Sequence, residues 1–127
     1  CPERYNQWRG TCYRTFTVHK TFSQAAATCR LDGGTLAIPR DADAYTFLIS
    51  LYTCGTGSFF WIGLNDQRQE GTFEWMDGTP LGNFSDWGLG QPDDHEGGED
   101  CVHYRPYDCT CGYWNDVSCS ATFGFIC

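Results

Sequence analysis

Between Asp86 and Asp116 the chain carries eight of its sixteen acidic residues: Asp86, Asp93, Asp94, Glu96, Glu99, Asp100, Asp108 and Asp116. A single base, Arg105, opposes them. Carboxylates at this density repel one another and raise each other's pKa unless a cation comes between them. The amides of Gln91 and Asn115 are interleaved with the acids, Trp87 and Trp114 bracket them, and Gly88, Gly90, Pro92, Gly97 and Gly98 mark the stretch as loop-rich. An all-oxygen set of carboxylates and amides suits calcium, which takes about 6–8 oxygens in flexible geometry. It does not suit zinc, which prefers nitrogen and sulfur. An EF-hand is excluded, because Asp41-Ala42-Asp43 is the only D-x-D and lacks the rest of that loop. A solvated acidic loop without an ion is the competing reading of the charge alone.

The elements that must position these oxygens belong to a chain of 127 residues, expected to form one domain over 1–127. It is 41% apolar and 17% aromatic, enough for a packed core and too much for disorder. Eight basic residues against sixteen acidic ones give a net charge of −8, which argues against binding a phosphate backbone. No apolar run approaches the roughly 18–20 residues of a membrane helix. The chain begins at Cys1, which suggests a leader already removed. Nine cysteines without a C-x-x-C pair read as a secreted, disulfide-stapled domain, and the odd number leaves at least one thiol free, capped or bonded to another chain.

Both helix candidates fall in the first half. Thr21 or Ser23 can cap a helix running through Ala25, Ala26 and Ala27 to about Leu31, stopped by Gly33-Gly34. Asp41 can cap a second, with Ala44, Phe47, Leu48 and Leu51 at helical spacing to about Tyr52. Tyr13–Phe16, Phe59–Leu64, Thr72–Trp75, Cys101–Tyr104, Gly112–Asn115 and Phe123–Cys127 read as short strands. The class is α+β. Large apolar residues in these runs, Trp61, Leu64, Trp75 and Phe125, are assigned to the core.

Trp61-Ile62-Gly63-Leu64, Gln91-Pro92-Asp93, Glu99-Asp100-Cys101 and Trp114-Asn115-Asp116, in that order and spacing, resemble a C-type lectin domain over the whole chain. The resemblance implies a double-looped α+β fold, two helices flanking small antiparallel sheets, with a long loop carrying the function. It implies the pairs Cys29–Cys127, Cys101–Cys119 and, as in the long form of the domain, Cys1–Cys12. It further implies that Gln91, Asp93, Glu99, Asn115 and Asp116 hold a calcium ion, with the Gln91–Pro92 bond cis and Asp116 contributing its carbonyl as well as its side chain. Two vicinal sugar hydroxyls would complete the ion's shell, exchanging hydrogen bonds with the amide and acid ligands. An auxiliary calcium is implied at Asp66, Glu70, Asp94 and Glu99 with the Asp100 carbonyl.

Gln-Pro-Asp is associated in this family with galactose and N-acetylgalactosamine, and Glu-Pro-Asn with mannose and glucose. His95 stands where stronger galactose binders place a stacking aromatic, and Tyr107, Tyr113 or Trp87 are candidates to supply that ring from elsewhere. The resemblance therefore implies a secreted or extracellular module that binds galactose-type glycans on glycoproteins or cell surfaces. A non-sugar ligand, or mannose or broad specificity, is the alternative.

Cys54, Cys109 and Cys111 remain outside the six-cysteine frame. Nearby His103 invites a metal reading, but an extracellular thiol pair favours disulfides. A bridge from Cys54 to either of the others would leave one cysteine for a disulfide-linked homodimer. Asn83-Phe84-Ser85 is an N-glycosylation pattern. Casting Glu70, Glu99 or Asp94 as acid and base around a metal would make the protein an enzyme, yet no nucleophile–base arrangement is visible in the sequence, so no catalytic role is assigned.

Overall fold

The computed structural model describes residues 1–56, 59–92, 97–107 and 111–127, with the side chains of 53–56 outside the description. In chain order the described elements are β1 (Asn6–Trp8), β2 (Thr11–Tyr13), β3 (Thr15–Lys20), α1 (Phe22–Leu31), α2 (Ala42–Thr56), β4 (Phe60–Asn65), β5 (Glu74–Trp75), β6 (Cys101–Pro106), β7 (Gly112–Val117) and β8 (Phe123–Ile126). β1 and β2 form a separate hairpin. The main sheet runs β3-β8-β4-β6-β7, with β5 also on β4. Its pairs are antiparallel except β4 with β8, which is parallel.

The helix signals act where the sequence has them. Thr21 caps α1 by accepting from the Gln24 backbone N–H, and the Gln24 side chain accepts from the Thr21 N–H, a reciprocal capping box. The chain leaves α1 through Gly33 at φ +82°, a conformation that favours glycine. Asp41 Oδ1 accepts the Ala44 N–H at 2.8 Å and so caps α2, which runs four residues beyond the expected end at Tyr52. Two strand expectations change. The single strand over Tyr13–Phe16 is divided between β2 and β3, which lie in different sheets, and the Thr72–Trp75 strand shrinks to Glu74–Trp75.

β4 is buried on both faces, as the central position requires. On the α2 side, Phe60, Ile62 and Leu64 pack with Tyr45, Leu48, Tyr52, Tyr104 and Trp114. On the α1 side, Trp61 packs with Phe22, Cys29 and Phe125. Its ring meets Phe22 edge-on at 5.4 Å, and its indole N–H donates to the Lys20 carbonyl at 2.8 Å. Gly63 lets the Leu36–Ala37 backbone close over the strand: a Cβ there would fall 2.8 Å from the Leu36 carbonyl oxygen.

Three disulfides join Cys1–Cys12, Cys29–Cys127 and Cys101–Cys119. Cys29–Cys127 spans 98 residues and ties α1 to the end of β8. A loop of that length corresponds to about 4–5 kcal/mol on the chain-entropy account. The side chain of Cys54 and the whole of Cys109 lie outside the description, and Cys111 is exposed just before β7.

Candidate functional site: a carboxylate seam between loops

The strand ends bring distant acids together. Asn65, the last residue of β4, pairs with Cys101, the first of β6. Asp66 and Asp100, each one step outside those positions, therefore become neighbours. The Asp66 N–H donates to the Asp100 carbonyl at 3.0 Å. Asp66 Oδ2 accepts the Gly71 N–H at 2.9 Å, which folds the turn back and returns Glu70 to the same place. One carboxylate oxygen from each of Asp66, Glu70 and Asp100 lies within 4.8 Å of the others. Asp66 is buried, Glu70 exposed and Asp100 half-buried.

Three carboxylates this close, one of them buried, form a hard-oxygen set that fits calcium on charge and donor type. Asp100, expected here through its carbonyl, brings its carboxylate as well: the carbonyl accepts the Asp66 N–H, and a side-chain oxygen lies near those of Asp66 and Glu70. Glu99 precedes it, half-buried. Asp94, the fourth carboxylate expected here, lies outside the described residues, as do Asp93 and His95.

The second set lies along β6 and β7. Val102 pairs with Asp116 and His103 with Asn115, so both ligand candidates of the Trp-Asn-Asp run lie within β7 beside β6. Asp116 is fully buried. The loop segment 86–91 runs beside β7: Trp114 N–H donates to the Asp86 carbonyl at 2.8 Å, and Gly88 N–H to the Trp114 carbonyl at 2.9 Å. Gln91 N–H closes a turn on the Gly88 carbonyl, Gln91 Oε1 is buried, and the Gln91–Pro92 peptide is cis.

His103 is a functional candidate that the sequence reading passed over except as a metal suspect. It is 3% exposed and lies among the rings of Phe59, Trp61 and Phe123. Burial, aided by the positive charge of Arg105, lowers its pKa to about 3, so the imidazole is neutral. Its Nε2 stands 3.1 Å from Asn115 Nδ2 and accepts from it. The amide is thereby oriented with Oδ1 left over for a cation and one N–H for a further acceptor. Only the strand register reveals this pair, because twelve residues separate the two in sequence.

Two other candidates serve packing. Trp87 meets Phe73 at 4.9 Å and Trp114 at 5.7 Å, so its ring belongs to the support of the long loop. Asp86, counted among the acids, accepts from the Tyr45 hydroxyl at 2.5 Å, and that bond anchors the loop to α2. Burial and the bond to Asp86 both push the Tyr45 phenol far above its ordinary pKa. Tyr107 is 75% exposed, its ring 5.3 Å from Tyr113.

The model of the lectin C-type domain matches residues 18–127. The chain belongs to the C-type lectin domain family. An alpha-N-acetylgalactosamine-specific lectin of Patiria pectinifera is 38% identical over 94% of this chain and 74% of its own length. Human collectin-10 is 41% identical over 91% of the chain but only 40% of its own length. Among solved structures, the C-type lectin CEL-I of Cucumaria echinata superposes with a TM-score of 0.91 at 27% identity, covering 99% of this chain and 94% of that one. No described helix is long and apolar enough to cross a membrane.

Proposed function

We propose that residues 1–127 form one carbohydrate-recognition domain that binds galactose or N-acetylgalactosamine through calcium, as a secreted module without catalytic activity. The observation that carries the calcium half is the approach of Asp66, Glu70 and Asp100, three carboxylates that repel unless a cation joins them. Asp94 and Glu99 would complete that auxiliary set. Gln91, Asp93, Glu99, Asn115 and Asp116 would hold the sugar-site ion, which when bound supplies open coordination positions for two vicinal hydroxyls.

The amides would donate to those hydroxyls and the carboxylates accept from them. Asn115, already held by His103, is pre-oriented for that role. The galactose preference is supported by Gln91-Pro92-Asp93 and by the N-acetylgalactosamine specificity in the name of the Patiria pectinifera relative. Glycans on glycoproteins or cell surfaces are the expected partners, and a disulfide-linked homodimer would add avidity to weak single sites. A glycan array probed in calcium and again in excess chelator tests the proposal. Galactose-type glycans should be retained only with calcium, and retention that survives chelation refutes the mechanism. Asp116→Ala should abolish retention, whereas Asp66→Ala should weaken it less; equal losses would overturn the division into two sites.

A further inference from the structure

Arg105 stands alone among eight acids between residues 86 and 116, yet its guanidinium forms no ion pair with a described carboxylate. Its Cζ lies over two rings, 5.2 Å from the Phe59 centroid and 5.6 Å from that of Tyr113. Tyr113 is itself backed by Gly88, where a Cβ would fall 2.2 Å from the ring. A guanidinium held over aromatic rings still carries forked N–H donors that can engage an anion.

The register says where those donors lie. Arg105 pairs with Tyr113 and His103 with Asn115, so Arg105, Tyr113 and Asn115 share one face of the β6–β7 ribbon. Arg105 and Asn115 are diagonal neighbours, about 7–8 Å apart on backbone spacing. Half-buried Arg105 is thus a positive charge one diagonal step from the residue assigned to the sugar, in a stretch of sequence whose other charges are acidic. We propose that Arg105, flanked by Phe59 and Tyr113, is a subsite for an anionic substituent, a sulfate ester or a carboxylate, on the sugar held at Asn115. The subsite rests on the carbohydrate reading and adds to it a class of acidic galactose-type ligands. Planar, forked N–H donors match the paired oxygens of either anion.

The test measures affinities in saturating calcium for methyl galactoside, its 3-, 4- and 6-sulfates, and the galacturonate, on wild type, Arg105→Gln and Arg105→Lys. At least one anionic probe should bind wild type about fivefold more tightly than the neutral sugar, the scale of a partly exposed charge pair. That ratio should fall to about one in Arg105→Gln, be partly kept in Arg105→Lys, and shrink as salt rises. Gain with the sulfates or with the galacturonate tells which anion fits, and either supports the subsite. If Arg105→Gln fails to fold, the lysine variant and the salt dependence carry the same decision. A ratio of one in wild type for every probe, or a ratio that survives in Arg105→Gln, overturns the subsite while the carbohydrate reading stands. Failure of neutral and anionic probes alike in calcium removes both.

Discussion

The base of the molecule and its loop seam are built on opposite principles. In the base, α1, α2, β3, β4 and β8 bury Phe22, Leu48, Trp61 and Phe125 and are closed by Cys29–Cys127. Its stability comes from apolar area removed from water and from a cross-link that restricts the unfolded chain. The seam, from Asp66 to Glu70 and from Glu99 to Asp116, gathers like charges at short range. Burial of Asp66 and Asp116 there costs energy unless partners or a cation offset it. The base is closed by its own contacts, whereas the seam gathers charges that a bound cation would offset. The same sheet serves both, since β4 and β6 bury their middles in the core, and Asp66 follows the one while Asp100 precedes the other.

The sharpest way to break this contrast is to damage the base. Trp61→Ala should cost about 3–5 kcal/mol, the usual range for deleting a buried Trp. The loss should be alike in calcium and in chelator, as judged by denaturant unfolding. A loss confined to calcium would mean that base and seam are not separate in energy.

The next effect belongs to the seam. Calcium at a hundred times its dissociation constant should stabilise the folded chain by about 2.7 kcal/mol per site through mass action. Chelation should remove that gain, and Asp66→Asn should remove the share of the auxiliary site by taking a charge from the trio. Calorimetric scans at several calcium concentrations check it. A melting temperature indifferent to calcium would show that the three carboxylates are paired in some other way.

How legible each region was follows from the same contrast. α1 and α2 could be read because caps at Thr21 and Asp41 and apolar spacing are local signals. The three disulfides entered through resemblance and lie where it put them. Strand β1 was not legible from the residues because Asn6–Trp8 is short and lacks apolar alternation; the N-terminal hairpin entered through the resemblance, with its Cys1–Cys12 bridge. The seam was legible as composition and, through the resemblance, as the grouping of Asp66, Glu70 and Asp100, but its pairwise geometry was not. That Asp100 turns its side chain to Asp66, that Asp86 is bound by Tyr45, and that His103 holds Asn115 all depend on strand register and on contacts between residues far apart in sequence.

A smaller effect should follow from exchanging the order of amide and acid around Pro92. Gln91→Glu with Asp93→Asn keeps the charge and the number of oxygens while reversing the hydrogen-bond polarity offered to the sugar. An unpaired donor or acceptor costs about 1–3 kcal/mol, so galactose should weaken and mannose strengthen by about tenfold. Titration of both sugars in saturating calcium reads this directly. An unchanged preference would move the choice of sugar to contacts beyond this loop.

The smallest predicted effect concerns the joint between core and seam. His103 is neutral and buried among rings, so its Nε2 can accept from Asn115 but cannot compete with a carboxylate for the cation. One hydrogen of the Asn115 amide is spent on that bond, which fixes the rotamer and leaves Oδ1 and the other hydrogen committed in advance. His103→Leu keeps an apolar side chain in the pocket but removes the acceptor. A net hydrogen bond is worth about 1 kcal/mol, so sugar affinity should fall about fivefold. His103→Gln places an amide oxygen at a similar reach and should recover much of the loss. If the glutamine variant binds sugar as weakly as the leucine one, ring packing by the imidazole matters rather than its acceptor, and the orientation of Asn115 must be set from the loop side.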